Sequence, residues 1–258
     1  MVITPTADNN AGITEVVKRI ERKYFIWPRN TGFARLFLRQ VCHPDREYPE
    51  GQVNTLYFDT PELDQYLRSS SGDFRKDKVR IRWYGYLQDY RTTVPVYVEL
   101  KTRQGFTSSK QRKRFHVPPQ NLQPSNLSKG IIEGNALIDT LASFGYFPES
   151  PLRPVIVVSY WRYRLNEVFT GVRMSLDLHI RSCMVAGGSG SGERELELRG
   201  GVIEVKGQNF ELPPTIQQMK LLDTDWGRFS KYGSSIDAHL EQPGAVARLW
   251  PSGRVLHR

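Results

Sequence analysis

Lys78, Arg80 and Arg82 stand two residues apart in the stretch Lys78-Val79-Arg80-Ile81-Arg82-Trp83. Successive side chains of a β-strand point to opposite faces, so this spacing puts three cations on one side and Val79, Ile81 and Trp83 on the other. The same parity recurs along the chain. Arg19, Glu21 and Lys23 oppose Ile20; Glu99 and Lys101 oppose Val98 and Leu100; Lys110, Arg112 and Arg114 share a face, as do Tyr160, Arg162 and Arg164. Arg173, Ser175 and Asp177 oppose Met174, Leu176 and Leu178, and Glu204 and Lys206 oppose Ile203 and Val205. A sheet with one face in water is the plain explanation for any single strand. It weakens over seven strands in which Arg and Lys dominate. If the sheet curls into a barrel, the apolar sides pack outward on helices and the cations point into the lumen. Two like charges at 4 Å repel by roughly 4 kcal/mol at an effective dielectric near 20, so such a lumen needs water, paired carboxylates or a polyanion. Guanidinium forks and ammonium groups are the usual phosphate partners. The expected ligand is therefore a chain of negative charges. Asp177 and Glu99 read as structural partners of lumen cations, and Trp83 and Trp161, on the opposite parity, as packing residues.

Many strands and a few covering helices must position these groups. Residues 16–26, 52–58, 76–86, 94–103, 110–117, 155–165, 171–181 and 195–206 read as strands, rich in β-branched and aromatic residues and bounded by Gly, Pro or polar clusters. Helical spacing of apolar residues marks 33–41, 61–69, 131–144 and 214–222, the second opened by Thr60 as cap and Pro61 at the first position. Residues 118–128 read as a polar connection, 186–193 as a glycine-rich loop and 241–258 as a loose basic tail. The expected class is α+β, mainly antiparallel β: a closed β-barrel tunnel with helices packed on its outside. The expected division is an N-terminal extension (1–14), the tunnel domain (15–240) and the tail (241–258).

The chain has 258 residues and a formal net charge of +9, and its 39% hydrophobic and 24% charged composition excludes collagen-like, disordered and disulfide-stapled classes. Its longest aliphatic run, Val155-Ile156-Val157-Val158, is far short of the roughly 20 residues that span a bilayer. Residues 1–12 lack the basic start and apolar stretch of a secretory signal, so a cytoplasmic location is expected. Cys42 and Cys183, and the scattered His43, His116, His179, His239 and His257, match neither zinc spacing nor a disulfide framework. A G-x-S-x-G string at Gly188-Ser189-Gly190-Ser191-Gly192 has no strand-like lead-in, and so is no nucleophile elbow.

One ordered series of motifs carries more. Arg22-Lys23-Tyr24, Lys78-Val79-Arg80-Ile81-Arg82, Val98-Glu99-Leu100-Lys101-Thr102, Ser109-Lys110-Gln111-Arg112, Ser159-Tyr160-Trp161-Arg162, Val172-Arg173-Met174-Ser175-Leu176-Asp177, Ile203-Glu204-Val205-Lys206 and Phe229-Ser230-Lys231-Tyr232 follow one another. From about residue 15 to about 235 the chain resembles the catalytic domain of the vacuolar transporter chaperone (VTC) polyphosphate polymerases, within the triphosphate tunnel metalloenzymes. The resemblance implies a basic tunnel holding a nucleoside triphosphate or polyphosphate beside a divalent metal, Mn²⁺ or Mg²⁺. It implies phosphate-binding roles for Lys23, Arg80, Arg82, Lys101, Lys110, Arg162 and Arg173. Tyr160, Ser230 and Lys231 would act near the terminal phosphates, Arg228 would add another basic group, and Glu204 would hold the metal. Of these, Arg80, Arg82, Lys101, Arg162, Arg173 and Lys231 are the expected catalytic set.

One departure matters within that superfamily. The triphosphatase and cyclase-like branch resembles E-x-E-x-K on its first strand, whereas this chain has Arg19-Ile20-Glu21-Arg22-Lys23, without the first glutamate. Fewer protein-held metals and more direct phosphate contacts resemble the polymerases. The resemblance thus implies transfer of the γ-phosphate of ATP to a growing polyphosphate chain. The alternatives are a tunnel triphosphatase or polyphosphatase and a non-catalytic polyphosphate-binding module. ATP and polyphosphate are the expected partners, with room for a membrane-protein partner. No nucleic acid is expected, since no helix-turn-helix, zinc-finger or RNP signature accompanies the positive charge.

Overall fold

The computed structural model describes residues 20–105, 107–185, 195–207, 212–219 and 229–241. Arg19, Arg228, the glycine-rich run 186–193, the N-terminal extension and the tail beyond 241 lie outside the described residues. The strands are β1 (Ile20–Ile26), β2 (Cys42–Pro44), β3 (Glu50–Asp59), β4 (Arg75–Tyr84), β5 (Val94–Gln104), β6 (Thr107–Val117), β7 (Arg153–Glu167), β8 (Arg173–Met184), β9 (Leu196–Leu198) and β10 (Gly201–Gly207). The helices are α1 (Thr31–Val41), α2 (Asp64–Ser71), α3 (Pro124–Leu127), α4 (Gly134–Ser143), α5 (Pro214–Gln217) and α6 (Lys231–Glu241). One antiparallel sheet runs β1-β10-β8-β7-β3-β4-β5-β6, with β2 added against β7 and β9 against β8.

The alternation expected from the sequence sorts the two faces. On the outer face Val79, Ile81 and Trp83 of β4 and Val96, Val98 and Leu100 of β5 pack beneath Leu127 of α3 and Leu137 and Leu141 of α4. Tyr24, Leu176, Ile203 and Val205 pack against Ala34, Phe37 and Leu38, which recur at three- and four-residue spacing on α1. Each fully buried Leu, Ile or Phe here contributes about 1.5–3 kcal/mol. The opposite face has two parts. Phe25, Val53, Tyr57, Val158, Tyr160, Ile180 and Val202 meet Phe229 and, from α6, Tyr232 and Ile236 in a third core, which fills one end of that face. The rest carries the charges.

That face is concave. Five strands separate β1 from β5, so a flat sheet at about 4.8 Å per strand would hold them roughly 29 Å apart. Yet Lys101 Nζ on β5 lies 2.9 Å from Glu21 Oε2 on β1. The segment before α6 sits in the gap: Lys23 Nζ of β1 donates to the Phe229 carbonyl at 3.2 Å, and Lys78 Nζ of β4 donates to Ser230 Oγ at 2.8 Å.

The closed barrel expected from the sequence is corrected to a curled, open sheet. Among the described residues β1 pairs only with β10 and β6 only with β5, so the two edges are bridged by side chains rather than by a backbone ladder. The reason is electrostatic. Lys110, Arg112, Lys113 and Arg114 leave β6 exposed on both faces, and β1 offers Arg22 and Lys23; like charges opposed across a ladder are destabilising, and basic edges resist pairing.

Local expectations also change. The single strand expected over 195–206 breaks into β9 and β10 at Gly200, whose φ of 108° is open to glycine and where a Cβ would stand 2.5 Å from the Ile26 carbonyl oxygen. Opposite the break, His179 of β8 takes a φ of 52° between the residues pairing with β10 and those pairing with β9. Helix α2 begins at Asp64 rather than Pro61, because Thr60 Oγ1 accepts the Asp64 N–H and the Asp59 carboxylate accepts those of Gln65 and Tyr66. Helix α6 was not anticipated. Gly233, Ser234 and Ser235 lower its intrinsic propensity, and it forms because Ser230 Oγ caps it through the Gly233 N–H and Tyr232 and Ile236 are buried.

Candidate phosphate-binding site

Most of the cations on the concave face fall into groups gathered around carboxylates. Register sets Arg80 of β4, Glu99 of β5 and Arg112 of β6 abreast. Glu99, 0% exposed, takes Arg80 Nη2 at 2.7 Å and Nε at 2.9 Å, with Lys110 Nζ at 3.5 Å, Arg112 Nε at 3.8 Å and Arg82 Nη1 at 3.9 Å. Burial opposes its ionisation, yet Arg80, Arg82 and Lys110 outweigh burial and hold it well below the usual carboxylate range.

A second group joins β7, β8, β10 and α6. Arg162 forks onto Asp177, Nε to Oδ1 at 2.7 Å and Nη2 to Oδ2 at 2.7 Å, and Nη2 also reaches Glu204 Oε2 at 3.0 Å. Lys231, the first residue of α6, contacts Asp177 and lies 3.1 Å from Glu204 Oε1. The Tyr160 ring faces both cations, with Arg162 5.2 Å and Lys231 4.8 Å from its centroid. Burial disfavours the charge on Asp177 and Glu204, but Arg162 and Lys231 keep both carboxyls below their ordinary values.

The third group closes the basin. Lys23 Nζ lies 3.6 Å from Glu21 Oε1 and 4.0 Å from Glu204 Oε1, while Glu21 Oε2 takes Lys101. Burial works against Glu21 as an anion, but Lys23 and Lys101 hold it well below the usual range. Burial pushes Lys101 down to about 8, with Lys23 and Arg80 adding to the effect and Glu21 opposing it.

The structure thus brings together Lys23, Arg80, Arg82, Lys101, Tyr160, Arg162, Glu204, Ser230 and Lys231 on one concave face. Lys110 stands at the rim, its side chain 46% exposed. Arg173 is also exposed, at the start of β8 opposite Lys206, apart from the buried Asp177 group. Arg228 lies outside the described residues. Asp177 and Glu99 are ion-pair partners of Arg162 and Arg80. Trp83 is buried in the outer core, whereas Trp161 is half-buried and donates to Glu50 Oε2 at 3.2 Å. Lys78, Arg112 and Lys206 were missed as site residues, although the two-residue alternation already carried their signal. Lys206 is lowered by burial and faces Glu204 and Glu21.

Among the described residues no three His, Cys, Asp or Glu side chains come together as a metal cage. Glu204 offers one carboxylate, whose oxygens are engaged by Lys231 and Arg162, so a hard cation held there would exchange with those contacts and draw its other ligands from substrate phosphate oxygens and water.

Comparison with known proteins shows the family. A family model described as the VTC domain matches residues 18–240. The chain belongs to the VTC domain family. Its VTC domain is similar to Vacuolar transporter chaperone complex subunit 4 of Schizosaccharomyces pombe, 27% identical over 115 residues, which cover 41% of this chain and 15% of that protein's length. Among solved structures, a Bacillus halodurans protein described as an adenylate cyclase superposes on the VTC domain with a TM-score of 0.49 at 17% identity, covering 83% of this chain and 96% of that one. A Hippeastrum protein described as an adenylyl cyclase with a dominant triphosphatase activity gives 0.43 at 15% identity, covering 85% and 95%. Among the described residues no helix is long and apolar enough to cross a membrane.

Proposed function

We propose that this VTC domain is a polyphosphate polymerase, passing the γ-phosphoryl group of ATP to a growing polyphosphate chain and releasing ADP. One observation carries the choice of transfer over hydrolysis. Glu21, Glu99, Asp177 and Glu204 are each ion-paired to cations and held below the ordinary carboxylate range, so none is a competent base for activating water near pH 7. A phosphate acceptor is already anionic and needs no base. Phosphoryl transfer then asks for in-line positioning and compensating charge. Arg80, Arg82, Arg162 and Lys231 would neutralise charge on the equatorial oxygens of the transferred group, while Lys23, Lys101 and Lys110 would hold neighbouring phosphates. Arg173 and Arg228 are assigned to the same chain of phosphates on the resemblance alone. Glu204 would hold Mn²⁺ or Mg²⁺, which supplies Lewis-acid bridging of phosphate oxygens when bound.

Purified protein given ATP and Mn²⁺ should produce ADP and a polymer that an exopolyphosphatase degrades. Release of orthophosphate alone would reject polymerisation in favour of a tunnel hydrolase. Intact ATP with salt-dependent polyphosphate binding would leave a binding module.

A further inference from the structure

Lys78 differs from the cations around it. Arg80, Arg82, Lys23, Lys101, Lys110 and Lys231 each have a carboxylate within 4 Å. Among the described residues Lys78 has none, and its ammonium donates instead to the neutral Ser230 Oγ at 2.8 Å. It stands directly across from Lys101, which stands across from Lys110, so three ammonium groups lie abreast on β4, β5 and β6. That is an unfavourable cross-strand arrangement. Burial and then Lys23, Lys101, Arg80 and Lys76 push the Lys78 ammonium well below the ordinary lysine range, and all four of those neighbours are positive.

The groups facing it from neighbouring elements do not relieve this. On β1 Glu21 is engaged by Lys101 and Lys23. On β10 Glu204 is engaged by Lys231 and Arg162, and Lys206 beside it is another cation. From α6 come Lys231 and its cap Ser230, and α2 offers the neutral Gln65, whose Oε1 accepts the Val79 N–H. Ser230 Oγ already accepts the Gly233 N–H at 3.1 Å as well as Lys78. Its own proton is left to donate.

We propose that Lys78 anchors a phosphate dianion beside Ser230, and that the empty chain holds this cation at a cost in stability which the bound anion removes. A terminal phosphate can carry a second negative charge that an internal phosphate of the polymer cannot, so the subsite favours chain ends. The inference rests on the basin's reading as a polyphosphate site and is independent of the direction of catalysis.

The test uses Lys78→Met, which keeps the length and removes the charge, and Lys78→Arg, which keeps a permanent charge. Thermal unfolding and titration with tripolyphosphate are measured at fixed ionic strength. Without ligand, Lys78→Met should unfold at a higher temperature than wild type, the reverse of what loss of a structural contact does. Its affinity for tripolyphosphate should fall about tenfold or more, the loss of one charge-assisted hydrogen bond. Lys78→Arg, which keeps the charge, should restore binding. Wild-type affinity in Lys78→Met overturns the assignment whatever its melting temperature. If that variant does not fold, wild-type tripolyphosphate affinity in Lys78→Gln overturns it. A wild-type chain that ignores tripolyphosphate sinks both this inference and the functional reading; one that binds it but makes no polymer sinks only the polymerase.

Discussion

Lys231 Nζ lies 3.1 Å from Glu204 Oε1, a contact that pins the first turn of the last described helix to strand β10. Burial disfavours the ammonium, but Asp177 and Glu204 outweigh it and raise Lys231 above the ordinary lysine range. Removing one partner of such a buried group leaves the carboxylates undercompensated. Lys231→Ala should therefore lose about 3–5 kcal/mol of stability in urea unfolding, together with polymer formation. A variant as stable as wild type would show that the helix is held by its apolar residues alone.

Glu204 can be separated from its ion pairs by an isosteric change. Glu204→Gln should abolish metal-dependent turnover while tripolyphosphate binding is kept or tightened, because one negative charge leaves the basin. Activity and binding are measured on the same preparation. Unchanged turnover would strike out the metal-ligand role.

Lys101 gives a pH dependence with a definite sign. Its folded-state value of about 8 lies below its ordinary 10.5, so between these pH values the unfolded chain holds a proton that the folded chain has released. Stability of the ligand-free protein should thus rise with pH from about 8 to about 10.5, the full cost of the charge being present below that window. Anion binding needs the ammonium and should weaken across the same range. Melting temperatures and tripolyphosphate titrations between pH 7 and 10 check both trends, and parallel movement of the two curves would contradict the assignment.

Tyr232 follows Lys231 and anchors it from behind. Its hydroxyl donates to the Asp59 carboxylate, and its ring stacks on Tyr57 with centroids 4.8 Å apart. Burial, with Asp59 adding to it, pushes the phenol above its ordinary range, so it stays a donor. Tyr232→Phe keeps the stack and should cost about 1 kcal/mol, since Asp59 still accepts the N–H groups at the start of α2. Faster amide exchange in α6 than in α1 would mark the loss as local.

Much of the site was legible in the chain because a strand's two-residue period is local. Lys78, Arg80 and Arg82 share a face whatever lies next to them, and Glu99 among cations reads as a partner from its type alone. Helix α6 was not legible, because its Gly233-Ser234-Ser235 run argues against helix, and the Ser230 cap, the Lys231–Glu204 contact and burial of Tyr232 and Ile236 override it. The break at Gly200 was hidden inside a stretch whose apolar alternation continues through it, and only the approach of Ile26 makes the glycine necessary.

The amino-acid sequence by itself determined which side chains share a face, and hence that this protein gathers positive charge on one surface opposite an apolar one. Only the tertiary structure decided which of those charges are neutralised. Lys101 finds Glu21 because the sheet curls, Lys231 finds Asp177 and Glu204 because α6 enters the concavity, and Lys78 is left facing cations. Such pairings depend on strand order and curvature between residues far apart in the chain, and Coulomb energy depends on that distance in space rather than on spacing along the backbone.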